Sequence, residues 1–198
     1  MLPAKTLLQL AGADVAPARL SDACLLLIDM QNEYLAGPVA AADAAAAVEN
    51  ARRLLTVARA YGTPVFHVVH KGRAGGLFDR DAWRGQIIAA LAPRASEVVI
   101  EKPFPNSFAD TDLHARLSAV GRKSLILAGF ATHMCISSTA RAAVDLGYRA
   151  TVAADACSSR DLPDGRGGIV PAQTVHDVAL VELSDRFAAI AHRSCELT

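Results

Sequence analysis

Apolar runs and amphipathic segments alternate along the chain from about residue 22 onward. The first run, ACLLLIDM, is a continuous apolar stretch of strand length that ends near Asp29, as expected for a strand buried on both faces. The alanine-rich segment 41–62 places Val48 and Leu55 on one face and ends at Gly62, which is typical of a helix with a glycine C-cap. The alternation of these two patterns predicts an α/β protein with a mostly parallel sheet.

The same two patterns divide the rest of the chain into elements. We predict strands at residues 23–30, 63–70, 96–102, 123–129, 148–155 and 186–192. We predict helices at residues 41–62, 110–121, 132–147 and 174–185, and a further helical piece at 86–91. The glycine-rich stretch KGRAGGLFDRDAW follows the second strand. We interpret it as a flexible loop that serves as a lid or as a contact between subunits.

Length and composition restrict the domain organisation and the partner. At 198 residues the chain is long enough for one well-buried core and too short for two full domains, so we predict a single domain over residues 1–198. Apolar residues make up 52% and charged residues 20% of the chain, which is a globular composition. The formal net charge is zero and no basic block occurs. Neither a nucleic acid nor a membrane surface is therefore indicated, and a small molecule is the expected partner.

The N-terminal segment and the cysteines bear on cellular location. The segment MLPAKTLLQLAGADV has an apolar run too short and interrupted for a signal peptide or a membrane span, so we predict a cytoplasmic protein. The cysteines form no C-x-x-C pair and no Cys/His cluster, which argues against a disulfide framework and a zinc site. We therefore treat four thiols as free: Cys24, Cys135, Cys157 and Cys195.

Three ionisable residues lie at the carboxyl ends of predicted strands. Asp29 closes the first strand, Lys102 closes the third, and Cys135 follows the fourth. Such ends share one edge of a parallel sheet, where ligand crevices form. With Thr132 as N-cap, Cys135 lies in the first turn of a helix, and the positive end of the helix dipole together with Lys102 favours a thiolate. Asp29 would accept the thiol proton and return it to a leaving amine.

Each of these residues also has a purely structural interpretation. Free cysteines are among the most buried residues, and we assign Cys24, Cys157 and Cys195 to that class. An aspartate after a strand often caps a turn, and a lysine in a loop is usually solvated. The structural interpretation is stronger for each residue alone. The coincidence of all three at one sheet edge favours a reactive site.

Three segments resemble the isochorismatase-like cysteine hydrolases, the superfamily that includes nicotinamidases, N-carbamoylsarcosine amidohydrolase and isochorismatase. The segments are LLLIDMQNEYL, EKPFPNSFADTDL and LAGFATHMCISSTARAAVDLGYRATVAADACSSRD. The resemblance covers about residues 22–192. It implies a three-layer, Rossmann-like α/β/α domain with a mostly parallel six-stranded sheet. Because members of the superfamily are commonly oligomeric, it also implies a homo-oligomer, a dimer or higher.

The resemblance further implies a catalytic triad of Asp29, Lys102 and Cys135. It implies a cis peptide bond between Phe130 and Ala131, with the backbone N–H groups of Ala131 and Cys135 forming an oxyanion hole. The implied reaction hydrolyses a small amide or ureido compound through a thioester on the cysteine, and it needs no cofactor. Two alternatives remain open. One is an isochorismatase-type vinyl-ether hydrolase, whose activity does without this cysteine, and the other is a binding protein that does no chemistry.

Nicotinamidases in this superfamily usually bind a metal through an Asp-x-His pair and a further histidine after the second strand. The corresponding stretch here, VFHVVHKGRAGGLFD, contains His67 and His70 with no aspartate between them. Residues three apart in a strand point to opposite faces of the sheet. We therefore predict that the protein has no metal site and does not act on nicotinamide.

Five residues in or near the strand-end loops are candidate substrate contacts, although core packing explains each of them at least as well. Four would form an apolar wall and one would make a polar contact. They are Tyr34, Trp83, Phe104, Phe108 and His133. We also expect Gln31 and Asn32 to shape the turn that holds Asp29.

Overall fold

The computed structural model describes residues 3–198, so the first two residues of the predicted domain lie outside the described part of the chain. The strands are β1 (Ala23–Ile28), β2 (Val65–His70), β3 (Val98–Lys102), β4 (Ser124–Phe130), β5 (Arg149–Ser158), β6 (Leu162–Pro163), β7 (Ile169–Val170) and β8 (Ala188–Ala191). Six of them form one sheet in the order β3-β2-β1-β4-β5-β8, and every pairing in it is parallel. β6 and β7 form a separate antiparallel pair. The predicted α/β class and six-stranded sheet are confirmed.

The helices lie mainly in the crossovers between parallel strands, as this topology requires. They are α1 (Leu7–Leu10), α2 (Glu33–Ala36), α3 (Ala44–Ala60), α4 (Leu113–Val120), α5 (Ser137–Asp145) and α6 (Ala172–Arg186). Short 3₁₀ turns occur at Trp83–Gly85, Ala89–Leu91 and Ser194–Leu197, and a π-helical turn occurs at Thr132–Ile136. Within residues 3–198, no helix combines the length and the apolar character that a membrane crossing demands.

The sheet is covered by helices on both faces, which gives three layers. β1 lies at its centre, and every residue of β1 is buried. Leu25 and Leu27 belong to the core under α3, whereas Leu26 belongs to the core under α4, α5 and α6. Burying a leucine side chain stabilises a fold by roughly 1.5–3 kcal/mol. The continuous apolar run of β1 therefore anchors both cores at once, and it holds the residue that follows it at a fixed place on the sheet edge.

The prediction of a helical piece at residues 86–91 was wrong. Gln86 and Ile88 have extended backbone, and Ile87 forms an isolated antiparallel bridge with Gln31. Only Ala89–Leu91 makes a single 3₁₀ turn, which buries Ile88 and Leu91. A six-residue apolar pattern does not distinguish a helix from an extended segment with one turn. The short elements α1, β6 and β7 also lacked a pattern long enough to be predicted.

Candidate active site

Asp29 immediately follows the central strand β1. Its backbone N–H donates to the carbonyl of Val68 on β2 at 2.7 Å, so the residue still belongs to the edge of the sheet. Its φ of 52° is left-handed, a conformation that aspartate tolerates better than most residues. The side chain is completely buried. The strand end thus places a carboxylate at the middle of the carboxyl edge.

Lys102 is the last residue of the edge strand β3, and its side chain is buried with 0% exposure. Its ammonium group donates to Asp29 Oδ2 at 2.8 Å and to Cys135 Sγ at 3.3 Å. The third hydrogen bond goes to the carbonyl of Phe104 at 3.1 Å. All three protons of the ammonium group therefore have acceptors, which a buried lysine requires. The lysine joins the other two candidate residues into one cluster, which we call the Asp29–Lys102–Cys135 cluster.

Cys135 lies in the π-helical turn that follows β4. The peptide bond between Phe130 and Ala131 is cis. The carbonyl of Ala131 accepts from the N–H of Met134 at 2.9 Å and from that of Ile136 at 3.3 Å, which closes the wide turn. The N–H of Ala131 has no acceptor among residues 3–198. π-helical turns are rare and frequently occur at functional sites.

Thr132 does not act as the N-cap that we predicted. The N-cap position belongs to Ala131, and Thr132 is the first residue of the turn. Its hydroxyl donates to the carbonyl of Ser158 at 3.0 Å and lies 2.8 Å from Nδ1 of His176, which is then the donor to the hydroxyl. Contacts to β5 and α6 have replaced the local cap. Thr132 therefore fastens the turn that carries Cys135 to the neighbouring strand and helix.

Electrostatics disfavour the ionised form of the Cys135 thiol. Burial raises its pKa above that of an ordinary thiol, the negative charge of Asp29 raises it further, and Lys102 opposes both only in part. Our expectation of a thiolate weighed the lysine and the helix end without the burial, which opposes ionisation. Asp29 Oδ1 is buried and has no hydrogen-bond partner among the described residues. That oxygen is free to take the thiol proton.

Among the predicted substrate contacts, Tyr34 agrees best with the expected apolar wall beside the site. Its ring is buried and stacks on Phe130 with the ring centroids 5.1 Å apart. Burial raises the pKa of its hydroxyl, and the charges of Asp29 and Cys135 raise that pKa further, so the hydroxyl lies within electrostatic reach of the cluster.

Phe104 and Trp83 are placed differently from Tyr34. Their side chains are 53% and 60% exposed, respectively. Phe104 meets the cluster through its backbone carbonyl, and the carbonyl of Trp83 accepts from Asn32 Nδ2 at 2.9 Å. The aromatic rings of both residues therefore face solvent in this structure.

Phe108 and His133 have protein partners. Phe108 packs against the core under α4, α5 and α6, and its ring stacks on Tyr148 at 6.0 Å. His133 Nδ1 lies 3.1 Å from Ser159 Oγ, and its Nε2 is buried without a partner among residues 3–198. Burial, assisted by the charge of Arg160, lowers the pKa of His133. His133 thus keeps one ring nitrogen unused, whereas Phe108 is a packing residue.

Gln31 and Asn32 fasten a loop to the Asp29 turn. Gln31 Nε2 donates to the carbonyls of His70 at 3.0 Å and Gly85 at 2.7 Å, and Gln31 Oε1 accepts from the N–H of His70 at 2.8 Å. The Asn32 bond to Trp83 holds the same segment. The two ends of the segment 70–85 are therefore fixed to the turn that follows β1. The flexibility that we expected of the glycine-rich stretch between them remains a prediction.

Three residues beside the cluster were missed from the sequence: Glu33, His70 and Phe78. His70 is the register partner of Lys102 in the β2–β3 ladder, and the charge of Lys102, after burial, lowers the pKa of His70. Phe78 lies in the glycine-rich stretch, and Glu33 in the quoted segment LLLIDMQNEYL. The sequence therefore shows an aromatic residue, Phe78, and a carboxylate, Glu33, in strand-end loops. The contacts that bring them to the site join distant parts of the chain, and no local pattern reveals such contacts.

His67 points away from the site and belongs to an ion network. Its Nε2 lies 3.0 Å from Glu97 Oε2, and Glu97 also binds Arg59 at 2.7 Å. No group of three or more His, Cys, Asp or Glu side chains in the described part of the chain is arranged to hold a metal ion.

Comparison with known proteins places this geometry in context. The family model described as "Isochorismatase domain" matches residues 23–194. A crystal structure of an isochorismatase from Pseudomonas putida superposes with a TM-score of 0.95 at 42% identity, covering 99% of this chain and 100% of that one. The secreted isochorismatase effector Isc1 of Verticillium dahliae is 37% identical over 90% of this chain and 92% of its own length. Maleamate amidohydrolase of Pseudomonas putida is 33% identical over 69% of this chain and 72% of its own length.

Proposed function

Because the chain belongs to the isochorismatase family of hydrolases, we propose that it is a cysteine-dependent amidohydrolase that cleaves a C–N bond of a small amide or ureido compound. The observation that carries the proposal is the position of Lys102 Nζ, at 2.8 Å from Asp29 Oδ2 and 3.3 Å from Cys135 Sγ. A thiol and a carboxylate that contact the same buried cation are the groups that acyl transfer through a thioester requires. Maleamate amidohydrolase, whose name denotes action on an amide, is among the relatives.

In the first half of the reaction, Cys135 Sγ attacks the carbonyl carbon of the substrate while its proton passes to Asp29. The carbonyl oxygen becomes an oxyanion, which the N–H groups of Ala131 and Cys135 would bind. One such donor typically contributes about 3 kcal/mol of transition-state stabilisation. The intermediate then collapses, the C–N bond breaks, and Asp29 gives its proton to the departing nitrogen. The product of this half is a thioester on Cys135.

In the second half, a water molecule attacks the thioester and gives a proton to Asp29. The C–S bond breaks, the acid product leaves, and Asp29 returns the proton to the sulfur. Lys102 keeps its three hydrogen-bond acceptors throughout, and it holds Asp29 and Cys135 at a fixed separation. The cluster ends in the protonation state in which it began, and the net reaction consumes one water molecule for each C–N bond.

Replacement of the thiol tests the proposal. Cys135→Ala should lower the hydrolysis of a small amide or ureido substrate to the background rate while the fold persists, because no other described thiol contacts Asp29 and Lys102. Activity is read as released ammonia or amine over a panel of such compounds, and folding as far-UV circular dichroism. Cys195 is exposed, contrary to our assignment of it to the buried cysteines. It gives the matched control, Cys195→Ala, which should hydrolyse at the wild-type rate. Full activity of Cys135→Ala on the substrate of the wild-type protein would refute the mechanism.

Vinyl-ether hydrolysis is a second candidate function, favoured by the names of two relatives. The Pseudomonas putida structure and the Verticillium dahliae effector are both described as isochorismatases. The Cys135→Ala variant separates the candidates, because a vinyl-ether hydrolase of this family would tolerate loss of the thiol. Isochorismate cleavage that survives in Cys135→Ala, with no amide in the panel consumed by the wild type, would replace the first proposal by the second.

A further inference from the structure

Phe78 has an unusual backbone conformation. Its φ is 57°, in the left-handed region, where a bulky side chain is a genuine outlier. The other residues with positive φ in the described part of the chain are glycines and aspartates. Glycine and aspartate tolerate this region and phenylalanine does not. Such conformations persist only where surrounding contacts enforce them, and they concentrate at functional sites.

Two hydrogen bonds hold the backbone of Phe78. Its N–H donates to Glu33 Oε2 at 3.1 Å, and its carbonyl accepts from the N–H of Gly72 at 3.0 Å. Glu33 is completely buried, and its other oxygen, Oε1, has no hydrogen-bond partner among residues 3–198. Arg84 lies 3.5 Å from that oxygen and supplies the neighbouring positive charge. A buried carboxylate that the proposed reaction does not use therefore fixes one amide of the loop.

The ring of Phe78 bridges two side chains that border the cluster. It lies 5.4 Å from the ring of Tyr34 and 5.1 Å from that of His70, measured between centroids. Tyr34 stacks in turn on Phe130, the residue that precedes Ala131. His70 is the register partner of Lys102. The four rings form a continuous series of contacts beside the cluster, which we call the aromatic wall (His70, Phe78, Tyr34 and Phe130).

The Asp29–Lys102–Cys135 cluster is almost closed to solvent. Cys135 is 3% exposed, and Asp29 and Lys102 are fully buried. His70 and Phe130 end strands β2 and β4, and Tyr34 lies in α2. Phe78 instead lies in the long loop that follows β2. Its side chain is also only half-buried, so it forms the outer part of the wall. Phe78 is thus the member of the wall that can be replaced without removing a residue of the sheet core.

We propose that Phe78 determines the size of substrate that reaches Cys135, and that Glu33 is the positioning residue that holds Phe78 in place. The proposal rests on the proposed function in so far as it identifies the thiol as the group that substrates must reach. The acyl groups admitted are small and flat, because they must fit between aromatic faces that already contact one another. Phe78 lies outside the cluster, so its replacement can change the size of the acyl group that is admitted without altering the chemistry of the cluster.

Alkylation of the thiol tests the size limit without requiring hydrolysis. The probes are iodoacetamide and its N-benzyl derivative; in each reaction the Cys135 S–C bond forms, the C–I bond breaks, iodide leaves and the thiol proton is released. Phe78→Ala should raise the ratio of the N-benzyl rate to the iodoacetamide rate at Cys135 on the order of tenfold or more, in line with typical pocket discrimination. Phe78→Asn keeps a residue that tolerates positive φ and should show the same rise if Phe78→Ala folds poorly. Mass spectrometry assigns the labelled site, and Cys195 is the internal standard.

The neighbouring Leu77 supplies a matched control, because its side chain is 43% exposed. Leu77→Ala removes a similar apolar group from the same loop and should leave the alkylation ratio at the wild-type value. If neither Phe78→Ala nor Phe78→Asn changes the ratio in a folded protein, Phe78 does not set the size limit. The proposed function stands or falls separately, on the hydrolysis by Cys135→Ala.

Variants of Glu33 test the positioning role. Glu33→Ala removes the acceptor of the Phe78 N–H and should raise the alkylation ratio as Phe78→Ala does. Glu33→Gln keeps a carbonyl oxygen for that N–H and should restore a ratio near the wild-type value, which a general loss of stability would not do. In the Phe78→Ala background, Glu33→Ala should add no further change. A folded Glu33→Ala with the wild-type ratio, or an equal effect of Glu33→Gln and Glu33→Ala, would overturn the positioning role.

Discussion

At the scale of single residues, the reactivity of Cys135 depends on where one proton lies. With a neutral thiol, the ion pair of Lys102 and Asp29 gives the buried cluster a net charge of zero. A resting thiolate would leave one uncompensated negative charge in a buried site, which is unfavourable. During attack the proton moves to Asp29 and the negative charge moves to the substrate oxygen, so the net charge at the site is conserved. Burial therefore disfavours the resting thiolate without disfavouring the proposed transition state.

Asp29→Asn should separate the acidity of the thiol from catalysis. The substitution removes a charge that raises the thiol pKa, so iodoacetamide should label Cys135 faster than in the wild type at pH 8. Hydrolysis should nevertheless fall by about 10²–10⁴-fold, because the general base and acid is lost. Asparagine tolerates the left-handed φ and keeps an oxygen for Lys102, so the fold should persist. Slower labelling, or hydrolysis at the wild-type rate, would contradict this account.

The residue types of the cluster could be predicted from the sequence, but their environment could not. Asp29, Lys102 and Cys135 stand at strand ends, and strand ends of a parallel sheet meet at one edge. The state of the thiol depends on how deeply the three side chains are buried, and burial arises from long-range packing. The same holds for Glu33, whose partner Phe78 is 45 residues away along the chain.

At the scale of elements, the passage from β4 into the π-helical turn sets the position of Cys135. Gly129 has a φ of 136°, and a Cβ atom there would overlap the carbonyl oxygen of Ile28 on β1. The pairing of β4 with β5 also shifts register next to this residue. The predicted helix at residues 132–147 is confirmed in its second part, where α5 lies. Its first turn is π-helical because Thr132 bonds to Ser158 and His176 rather than capping the helix, a tertiary effect that the local pattern does not contain.

Gly129→Ala should therefore destabilise the fold severely. The added methyl group meets backbone of the central strand, which cannot move aside without breaking the sheet, so we expect a loss of more than about 4 kcal/mol in the free energy of unfolding. Gly121→Ala is the matched control, because Gly121 has a φ of 80° and open space around its Cβ position. That control should lose only about 1–2 kcal/mol. Urea unfolding of both variants measures the difference, and equal losses would show that Gly129 is not constrained by β1.

At the scale of the whole molecule, a partly buried ion network joins parts of the chain that are distant in sequence. Arg59 belongs to α3, His67 to β2, and Glu97 lies just before β3. Burial raises the pKa of Glu97, but the hydrogen bonds from Arg59, the backbone of Arg94 and His67 outweigh it and lower the pKa to about 2. The sequence did not reveal the partner of His67, which lies 30 residues away along the chain. The homo-oligomer, the small-molecule partner and the cytoplasmic location remain predictions.

The buried histidines should make the stability of the protein depend on pH below neutrality. Burial lowers the pKa of His67 from 6.5, although Glu97 opposes the shift, so the folded state keeps the ring neutral where the unfolded chain is protonated. The unfolded state then binds more protons, and stability is fully present above about pH 6.5 and is lost as the pH falls through the folded pKa. The slope is at most about 1.4 kcal/mol per pH unit for each such group.

Urea unfolding between pH 5 and 8 measures this dependence, and His67→Gln should reduce the slope below about pH 6.5, because glutamine can still donate to Glu97 but does not titrate. His70, His133 and His176, whose pKa values burial also lowers, keep part of the slope in that variant. The exposed His192 provides the control His192→Gln, which should keep the wild-type slope. The pKa of Glu97 falls from its ordinary value of 4.5 to about 2 on folding. The stability that this carboxylate contributes is therefore lost in a separate, more acidic range, as the pH falls from about 4.5 towards 2. An unchanged slope in His67→Gln would mean that the folded protein protonates His67 as readily as the unfolded chain does.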